Sequence, residues 1–135
     1  MSVLSGKGAL VTGGSRGIGR AIVERLTGDG AEVVFCYQSS AEAAEQVAKE
    51  TGAHAVRADL GNEEDLARLF AEAEARLPGV DILVNNAATS EGQKLIADVT
   101  DELYERVFAI NTRAVFLAIQ WAGRVGRRRR RARRG

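Results

Sequence analysis

Four short apolar runs alternate along the chain with four longer segments, in three of which apolar residues recur every three or four positions. The runs cover residues 8–13, 31–38, 53–60 and 80–87, and their length is typical of buried strands. The longer segments begin near residues 17, 41, 63 and 100. The first, third and fourth carry one apolar stripe, as an amphipathic helix does, and the second is rich in helix-forming residues and ends at Gly52. Strands that alternate with helices over short connections predict an α/β fold with a doubly wound parallel sheet.

Polar residues in front of three of the helical segments predict where those helices begin. Ser39, with Glu42 three residues later, fits a capping box, and Asn62 is a favourable N-cap residue before a run of acids. Thr100 precedes the last segment, which is expected to form one long helix. The apolar stripe of that helix consists of Leu103, Val107, Ile110, Ala114, Leu117 and Trp121.

The formal net charge of +1 combines an acidic body with a basic terminus. Residues 1–120 contain 11 lysines and arginines against all 18 acids, whereas residues 121–135 contain eight arginines and no acid. Cys36 and His54 are the only cysteine and histidine, so neither an internal disulfide nor a metal site is expected. No apolar run approaches the roughly 20 residues of a membrane span, and no signal segment is visible, so a cytoplasmic protein without a membrane partner is expected.

Glycines at positions 13, 14, 17 and 19 form a turn between the first strand and the first helix. Glycine lets the backbone bend sharply and approach a ligand closely. The N-terminus of the following helix offers unpaired N–H groups and a partial positive charge. This combination predicts a pyrophosphate site and therefore a dinucleotide as the binding partner. The alternative is a turn that only packs the helix against the strand.

The turn reads T-G-x-x-x-G-I-G over residues 12–19, which resembles the cofactor turn of the short-chain dehydrogenase/reductase family. Three further segments match that family in the expected order. They are Asp59-Leu60 after the third strand, "NNAA" at 85–88 with alanine in place of the usual final glycine, and "NTRAVF" at 111–116. The resemblance covers about residues 5–120. It implies the N-terminal portion of a Rossmann-like fold, in which right-handed crossovers give the strand order 3-2-1-4.

The resemblance also implies roles for individual residues. Asp59 would accept a hydrogen bond from adenine, Asn86 would lie beside the cofactor, and Asn85 would be mainly structural. Asn111 would be the catalytic residue of this chain, because it would hold a water of the proton relay. The alternatives are a solvated loop acid at Asp59 and an ordinary, partly exposed Asn111. The residues expected to bind the dinucleotide are Gly13, Gly14, Ser15, Arg16, Gly17, Ile18, Gly19, Tyr37, Gln38, Asp59, Leu60, Asn86 and Ala87.

The end of the second strand bears on which dinucleotide is preferred. NAD-specific sites place an acid there to bind the ribose 2′-hydroxyl, but this chain has Tyr37 and Gln38 with no acid nearby. Arg16 in the glycine turn can pair with a 2′-phosphate, and a basic residue at this place accompanies NADP preference in the resembling family. NADP(H) is therefore expected over NAD(H), with a plain surface charge as the alternative for Arg16.

The chain departs from the family pattern after Asn111. The family's reacting serine, and its tyrosine and lysine in Y-x-x-x-K, lie beyond this helix, and the 24 residues that follow Asn111 contain none of the three types. An incomplete dinucleotide-binding domain is therefore expected at 1–121, followed by an arginine-rich tail at 122–135. The tail contains only alanine, glycine, arginine and valine.

A truncated or frame-shifted coding sequence from GC-rich DNA would produce such a tail. A genuine basic arm and an otherwise unusual terminus are the alternatives. Repulsion between the arginines predicts that the tail is disordered or a frayed extension of the last helix.

Together these features favour an NADP(H)-dependent oxidoreductase that transfers a hydride to or from a carbonyl or alcohol, closest to β-ketoacyl-carrier-protein reductases. Full-length relatives are expected to act on small carbonyl or alcohol substrates and to form homo-oligomers. This chain, without the serine, tyrosine and lysine, is expected to be inactive. The alternative is a non-catalytic nucleotide-binding module whose basic tail binds polyanions without preference for any nucleic-acid sequence.

Overall fold

A computed structural model of the protein describes residues 2–90 and 92–135. The strands are β1 (Gly8–Thr12), β2 (Glu32–Tyr37), β3 (His54–Arg57) and β4 (Ile82–Val84). The helices are α1 (Gly17–Gly28), α2 (Ala41–Thr51), α3 (Glu63–Arg76), α4 (Asp101–Phe108) and α5 (Ala114–Arg134), with a 3₁₀ turn at Ile96–Asp98 and a π turn at Ala109–Arg113. Every strand pair is parallel and the order is β3-β2-β1-β4, which confirms the predicted fold class and topology.

Strand β1 lies in the middle of the sheet and separates two hydrophobic cores. Successive side chains of a strand point to opposite faces, so Leu10 packs in one core and Val11 in the other. Helices α3 and α5 cover the Leu10 face, where Trp121 stacks on Phe70 with ring centroids 4.7 Å apart. Helices α1 and α2 cover the Val11 face. The glycine turn is thus held between two packed layers.

The helix starts test the capping predictions. Asn62 accepts the N–H of Asp65 at 3.0 Å and is an N-cap as predicted. Thr100 accepts the N–H of Leu103 at 3.1 Å and caps the helix that was expected to start there. The prediction of a capping box at Ser39 is wrong. Helix α2 begins after Ser40, whose φ of −90° and ψ of 64° lie outside the extended geometry of a capping residue, and its side chain makes no cap hydrogen bond.

The predicted long helix is interrupted by the π turn at Ala109–Arg113. A π turn closes i→i+5 hydrogen bonds, so the side chains that follow it point to a different side of the helix than in an uninterrupted α-helix. Ala118 takes a fully buried position in α5, whereas Leu117 of the predicted stripe is only half-buried. Ile110, Ala114 and Trp121 are buried as the stripe predicts.

Helix α5 continues through the arginine-rich tail to Arg134. Of the two expected conformations, disorder and helical extension, the tail therefore has the helical one. A basic last turn interacts favourably with the negative end of a helix, which offsets part of the repulsion between arginines. Among the described residues, no helix is both long and apolar enough to cross a membrane.

Candidate functional site

A cavity of about 280 Å³ lies beyond the carboxyl ends of β1, β2 and β4, where doubly wound sheets bind ligands. The sequence predicted eight of its lining residues, namely Gly13, Ser15, Arg16, Tyr37, Gln38, Leu60, Asn86 and Ala87. It missed Cys36, Ser39, Ser40, Ala58, Ala88, Thr89 and Ile110. Ser39 and Ser40 could have been predicted to line the cavity, because they come shortly after the end of the second strand. Of the other predicted residues, Gly14, Gly17, Ile18, Gly19, Asp59 and Asn111 do not line the cavity.

The glycine turn needs glycine for two separate reasons. Gly13 and Gly17 have φ values of +70° and +58°, in the left-handed region that other residues rarely adopt. Gly14 and Gly19 instead make close approaches. A Cβ on Gly14 would lie 2.6 Å from the Cβ of Phe35, and one on Gly19 would lie 1.8 Å from the carbonyl oxygen of Gly13. Gly14 and Gly19 are therefore needed for packing of the turn against Phe35 and against its own backbone, and they do not line the cavity.

The hydroxyl of Thr12 ties the glycine turn to the end of β4. Its Oγ1 accepts the backbone N–H groups of Asn86 and Ala87, each at 3.1 Å. The side-chain amide of Asn86 in turn donates to the carbonyl oxygen of Gly13 at 3.1 Å. Asn86 thus borders the cavity and also holds the turn. Thr12 is a structural residue of the site that the motif contained but that the prediction assigned no role.

The N-terminus of α1 faces this turn without a competing anion. Its N-cap residue Arg16 makes no side-chain cap, and the first turn contains no acid. The first backbone N–H groups of a helix have no intrahelical partner, and the helix dipole adds partial positive charge. This end of α1 fits the pyrophosphate of a dinucleotide.

The far wall of the cavity, after β2, carries no acid. It consists of Tyr37, Gln38, Ser39 and Ser40, with Arg16 opposite in the glycine turn. The side chain of Arg57 donates to the carbonyl oxygen of Gln38 at 3.2 Å. Hydroxyl groups and an exposed guanidinium suit a phosphate group, whereas the carboxylate that would repel one is missing from this wall.

The carboxylate of Asp59 is held by α4 rather than directed into the cavity. Arg106 donates to its two oxygens at 3.1 and 3.2 Å, and the N–H of Gly61 donates to Oδ1 at 2.9 Å. Partial burial raises the pKa of Asp59, but the hydrogen bonds of Arg106 and Gly61 outweigh it, so this pKa lies below its ordinary value. Asp59 is therefore paired, unlike a solvated loop acid.

Asn111 lies in the π turn and clamps the loop after β4. Its Oδ1 accepts the N–H of Thr89 and its Nδ2 donates to the carbonyl oxygen of Thr89, both at 2.8 Å. Both functional groups of the amide thus bind the backbone of one residue, Thr89. Because Thr89 lines the cavity, Asn111 acts on the site through this loop.

The remaining reactive groups near the cavity add little chemistry of their own. Burial raises the pKa of Cys36 to about 11, so its thiol stays protonated and unreactive at neutral pH. No cluster of three or more potential metal-ligating side chains occurs within residues 2–90 and 92–135. The site offers binding groups for a phosphate-bearing ligand.

The sequence model of the short chain dehydrogenase family matches residues 7–130. The chain belongs to this family. It is 44% identical over 127 residues to the short chain dehydrogenase/reductase nsrJ of Aspergillus novofumigatus, covering 90% of this chain and 48% of that protein. The chain spans about half the length of the curated relatives it matches.

Two similar solved structures show the same fold. One from Burkholderia cenocepacia in complex with NADP is 39% identical, with a TM-score of 0.84 over 90% of this chain and 51% of that one. A blue fluorescent protein from a metagenomic library in complex with NADPH is 42% identical, with a TM-score of 0.83 over 89% of this chain and 51% of that one.

Proposed function

We propose that the chain is the cofactor-binding portion of an NADP(H)-dependent oxidoreductase that transfers a hydride to or from a carbonyl or alcohol. The observation that carries this proposal is the acid-free wall after β2, with Arg16 facing it from the glycine turn. Two similar structures contain NADP or NADPH, which supports the choice of cofactor. The bound cofactor would supply the hydride, and the residues of this chain would bind and orient it.

Each part of the cavity would hold a different part of the dinucleotide. The glycine turn and the start of α1 would bind the pyrophosphate. Arg16, Ser39 and Ser40 would contact a 2′-phosphate, and Tyr37 and Gln38 would flank the adenosine. Leu60 would lie at the adenine end, beside the paired carboxylate of Asp59. Asn86 and Ala87 would flank the cofactor on the β4 side.

The cofactor preference is tested by titrating NADPH and NADH against the protein and the Arg16→Ala variant, with binding followed by fluorescence. Loss of a charged hydrogen bond costs about 1.5–3 kcal/mol, so NADPH affinity should fall about ten- to a hundredfold while NADH affinity changes little. Arg25→Ala is the matched control, because Arg25 lies in the last turn of α1 and pairs with Asp29. An unchanged NADPH:NADH ratio in Arg16→Ala would remove Arg16 from the site.

Carbonyl reduction also needs a proton donor within about 3 Å of the substrate oxygen. The two tyrosines of the chain are poor candidates. Tyr37 lines the wall after β2, and Tyr104 is 53% exposed and packs on Phe108 with ring centroids 4.5 Å apart. Neither is followed by a lysine four residues later. We therefore propose that residues 1–135 alone bind the cofactor without catalysing hydride transfer.

The test of this second statement is NADPH oxidation with a generic ketone and a β-ketoacyl thioester. The 135-residue chain should match the rate without protein. A chimera in which the serine- and Y-x-x-x-K-bearing half of a full-length family member follows Gln120 should turn over. Turnover by the 135-residue chain that Tyr104→Phe abolishes would instead identify Tyr104 as the donor.

A further inference from the structure

The arginine-rich tail is docked on the body of the protein along one side. Val125 packs against the Leu10 core. Arg129 donates through Nη1 to both carboxylate oxygens of Asp81 at 3.0 Å, and Arg128 lies 3.8 Å from the carboxylate of Glu74. We call these two residues the inward pair. Arg129 is only 26% exposed and anchors the helix, whereas Arg128 stays 69% exposed beside Glu74.

The opposite side of the same helix presents a row of arginines to solvent. The spacing of Arg124, Arg127, Arg131 and Arg134 is three, four and three residues, which places them on one helix face. All four are exposed, and no ion pair joins them to another described residue. We call these four residues the outward row. Ten residues of α-helix span about 15 Å, so the row is a straight line of four positive charges.

The chemistry of the outward row favours phosphate groups. A guanidinium binds phosphate through two parallel hydrogen bonds and is only weakly hydrated. Duplex DNA carries one negative charge per about 1.7 Å of its axis, so 15 Å of duplex offers about nine phosphates to the row. The body of the chain is net acidic, with 18 acids against 11 basic residues in 1–120, and would repel the same partner elsewhere.

A membrane surface fits this helix less well than a nucleic acid does. An interfacial helix inserts an apolar face into the lipid, but Trp121 and Val125, the large apolar residues of the arginine-bearing half of α5, pack against the protein core. The exposed Phe116 and Ile119 lie in the first two turns of α5, before the arginines begin. Arginine is the only side chain of the tail that reads a base edge, and the same guanidinium binds a phosphate beside any base. Contacts to phosphates position a protein without specifying a sequence.

We propose that the outward row of α5 is a binding surface for the phosphate backbone of nucleic acid, independent of sequence and separate from the cofactor cavity. Like charges at i,i+4 destabilise a helix, so a phosphate backbone along the row would also relieve the repulsion between these arginines. The inward arginines, already paired with Asp81 and Glu74, contribute little to it.

The test compares full-length variants that remove the same charge from different places. The outward variant is Arg127→Gln/Arg131→Gln, and the inward variant is Arg128→Gln/Arg129→Gln. Arg25→Gln/Arg76→Gln removes two arginines from other helices. Binding of labelled duplex DNA of about 20 base pairs, in two unrelated sequences, is measured between about 50 and 200 mM salt. Trp121 fluorescence reports whether α5 stays docked, because the indole stacks on Phe70 and donates to Glu74.

Four phosphate contacts predict that affinity of the unmodified protein falls about 150-fold over this salt range, equally for both sequences. The DNA affinity of the outward variant should fall only about tenfold over the same salt range, because two of the four phosphate contacts are gone. The Arg25/Arg76 variant should behave like the unmodified protein, as should the inward variant if Trp121 fluorescence is unchanged. The proposal is overturned by absence of DNA binding at 50 mM salt, by an equal loss in all three variants, or by preference for one sequence. Tighter binding to phosphatidylserine vesicles than to DNA would also overturn it.

Discussion

Gly19 is the most crowded backbone position at the candidate site. A Cβ at this residue would lie 1.8 Å from the carbonyl oxygen of Gly13 and 2.6 Å from Nδ2 of Asn86. Overpacking of this kind costs about 1–3 kcal/mol. We expect Gly19→Ala to lower the free energy of unfolding by at least that amount and to weaken NADPH binding, as measured by urea denaturation and by titration.

Gly28→Ala is the control for this substitution. Gly28 ends the same helix, and an added Cβ would meet no atom within 4 Å. Alanine is the better helix former by up to about 1 kcal/mol, so this variant should be as stable as the unmodified protein or more so. Similar destabilisation by both substitutions would contradict a steric role for Gly19.

Thr12 satisfies two backbone N–H groups with one hydroxyl. Thr12→Val keeps the shape of the side chain but leaves the N–H groups of Asn86 and Ala87 without this acceptor. An unsatisfied buried polar group costs about 1–3 kcal/mol, so we expect a loss of this size in urea denaturation. Thr12→Ser retains the hydroxyl and should recover most of that loss. Equal stability of the valine and serine variants would show that the hydroxyl is dispensable.

At the scale of elements, the pair Asp81–Arg129 joins β4 to α5. The carboxylate of Asp81 also accepts the N–H of Gly8 at 3.0 Å. Partial burial raises the pKa of Asp81, but the hydrogen bonds from Gly8 and Arg129 outweigh it, so the pKa lies below its ordinary value. A depressed carboxyl pKa stabilises the fold above about pH 4, the ordinary pKa of aspartate, and the contribution disappears as the pH falls through the lower folded pKa.

Urea denaturation at pH 7 and at pH 3 measures this contribution. Asp81→Asn should cost on the order of 1 kcal/mol at pH 7, since solvent screens a partly exposed pair. Its stability should therefore fall less between the two pH values than that of the unmodified protein. Asp29→Asn is the control, because Asp29 pairs with Arg25 on the surface within one helix. A pH dependence of Asp81→Asn identical to that of the unmodified protein would exclude Asp81 as the titrating group.

At the scale of the whole molecule, α4 and α5 leave large apolar side chains in solvent. They are Tyr104, Phe108, Phe116 and Ile119, which are 53%, 48%, 61% and 57% exposed. Strand β4 is in addition a half-buried edge strand. Exposed apolar patches and open strand edges both promote association. We propose that the protein self-associates through the exposed side chains of α4 and α5, and that the open edge of β4 promotes aggregation.

Sedimentation velocity over a range of protein concentrations tests this surface. Phe116→Ser/Ile119→Ser should shift the protein towards monomer and change the free energy of unfolding by no more than about 0.5 kcal/mol, as surface substitutions usually do. Val3→Ser, at another exposed apolar residue, should leave the association unchanged. A monomer at every concentration before any substitution would rule out self-association.

Much of the fold could be predicted because its signals are local. The apolar run at 8–13 and the amphipathic period after Asn62 depend on neighbours within one or two turns of chain. The capping box at Ser39 failed despite a correct local pattern, because the strand end places Ser40, and not Ser39, next to the helix. The resemblance carried by the glycine turn predicted the residues on one side of the cavity from the sequence.

The pairings that build the site could not be predicted, since they join residues far apart in the chain. Arg106 reaches Asp59 across 47 positions, and Asn111 reaches Thr89 across 22. Each is one of several polar residues on its own helix, and nothing in its immediate sequence states which distant partner it meets. The same holds for the arginines of the tail, where only the docking of α5 separates the inward pair from the outward row.

The sequence by itself determined the order of strands and helices, the parallel sheet and the glycine turn, because hydrophobic periodicity and backbone freedom act over short stretches of chain. Only the tertiary structure decided that Asp59 is paired, that Asn111 clamps a loop and that the tail is a docked helix. Those outcomes depend on which surfaces meet when the helices cover the sheet, and that is a property of the packed molecule rather than of any segment.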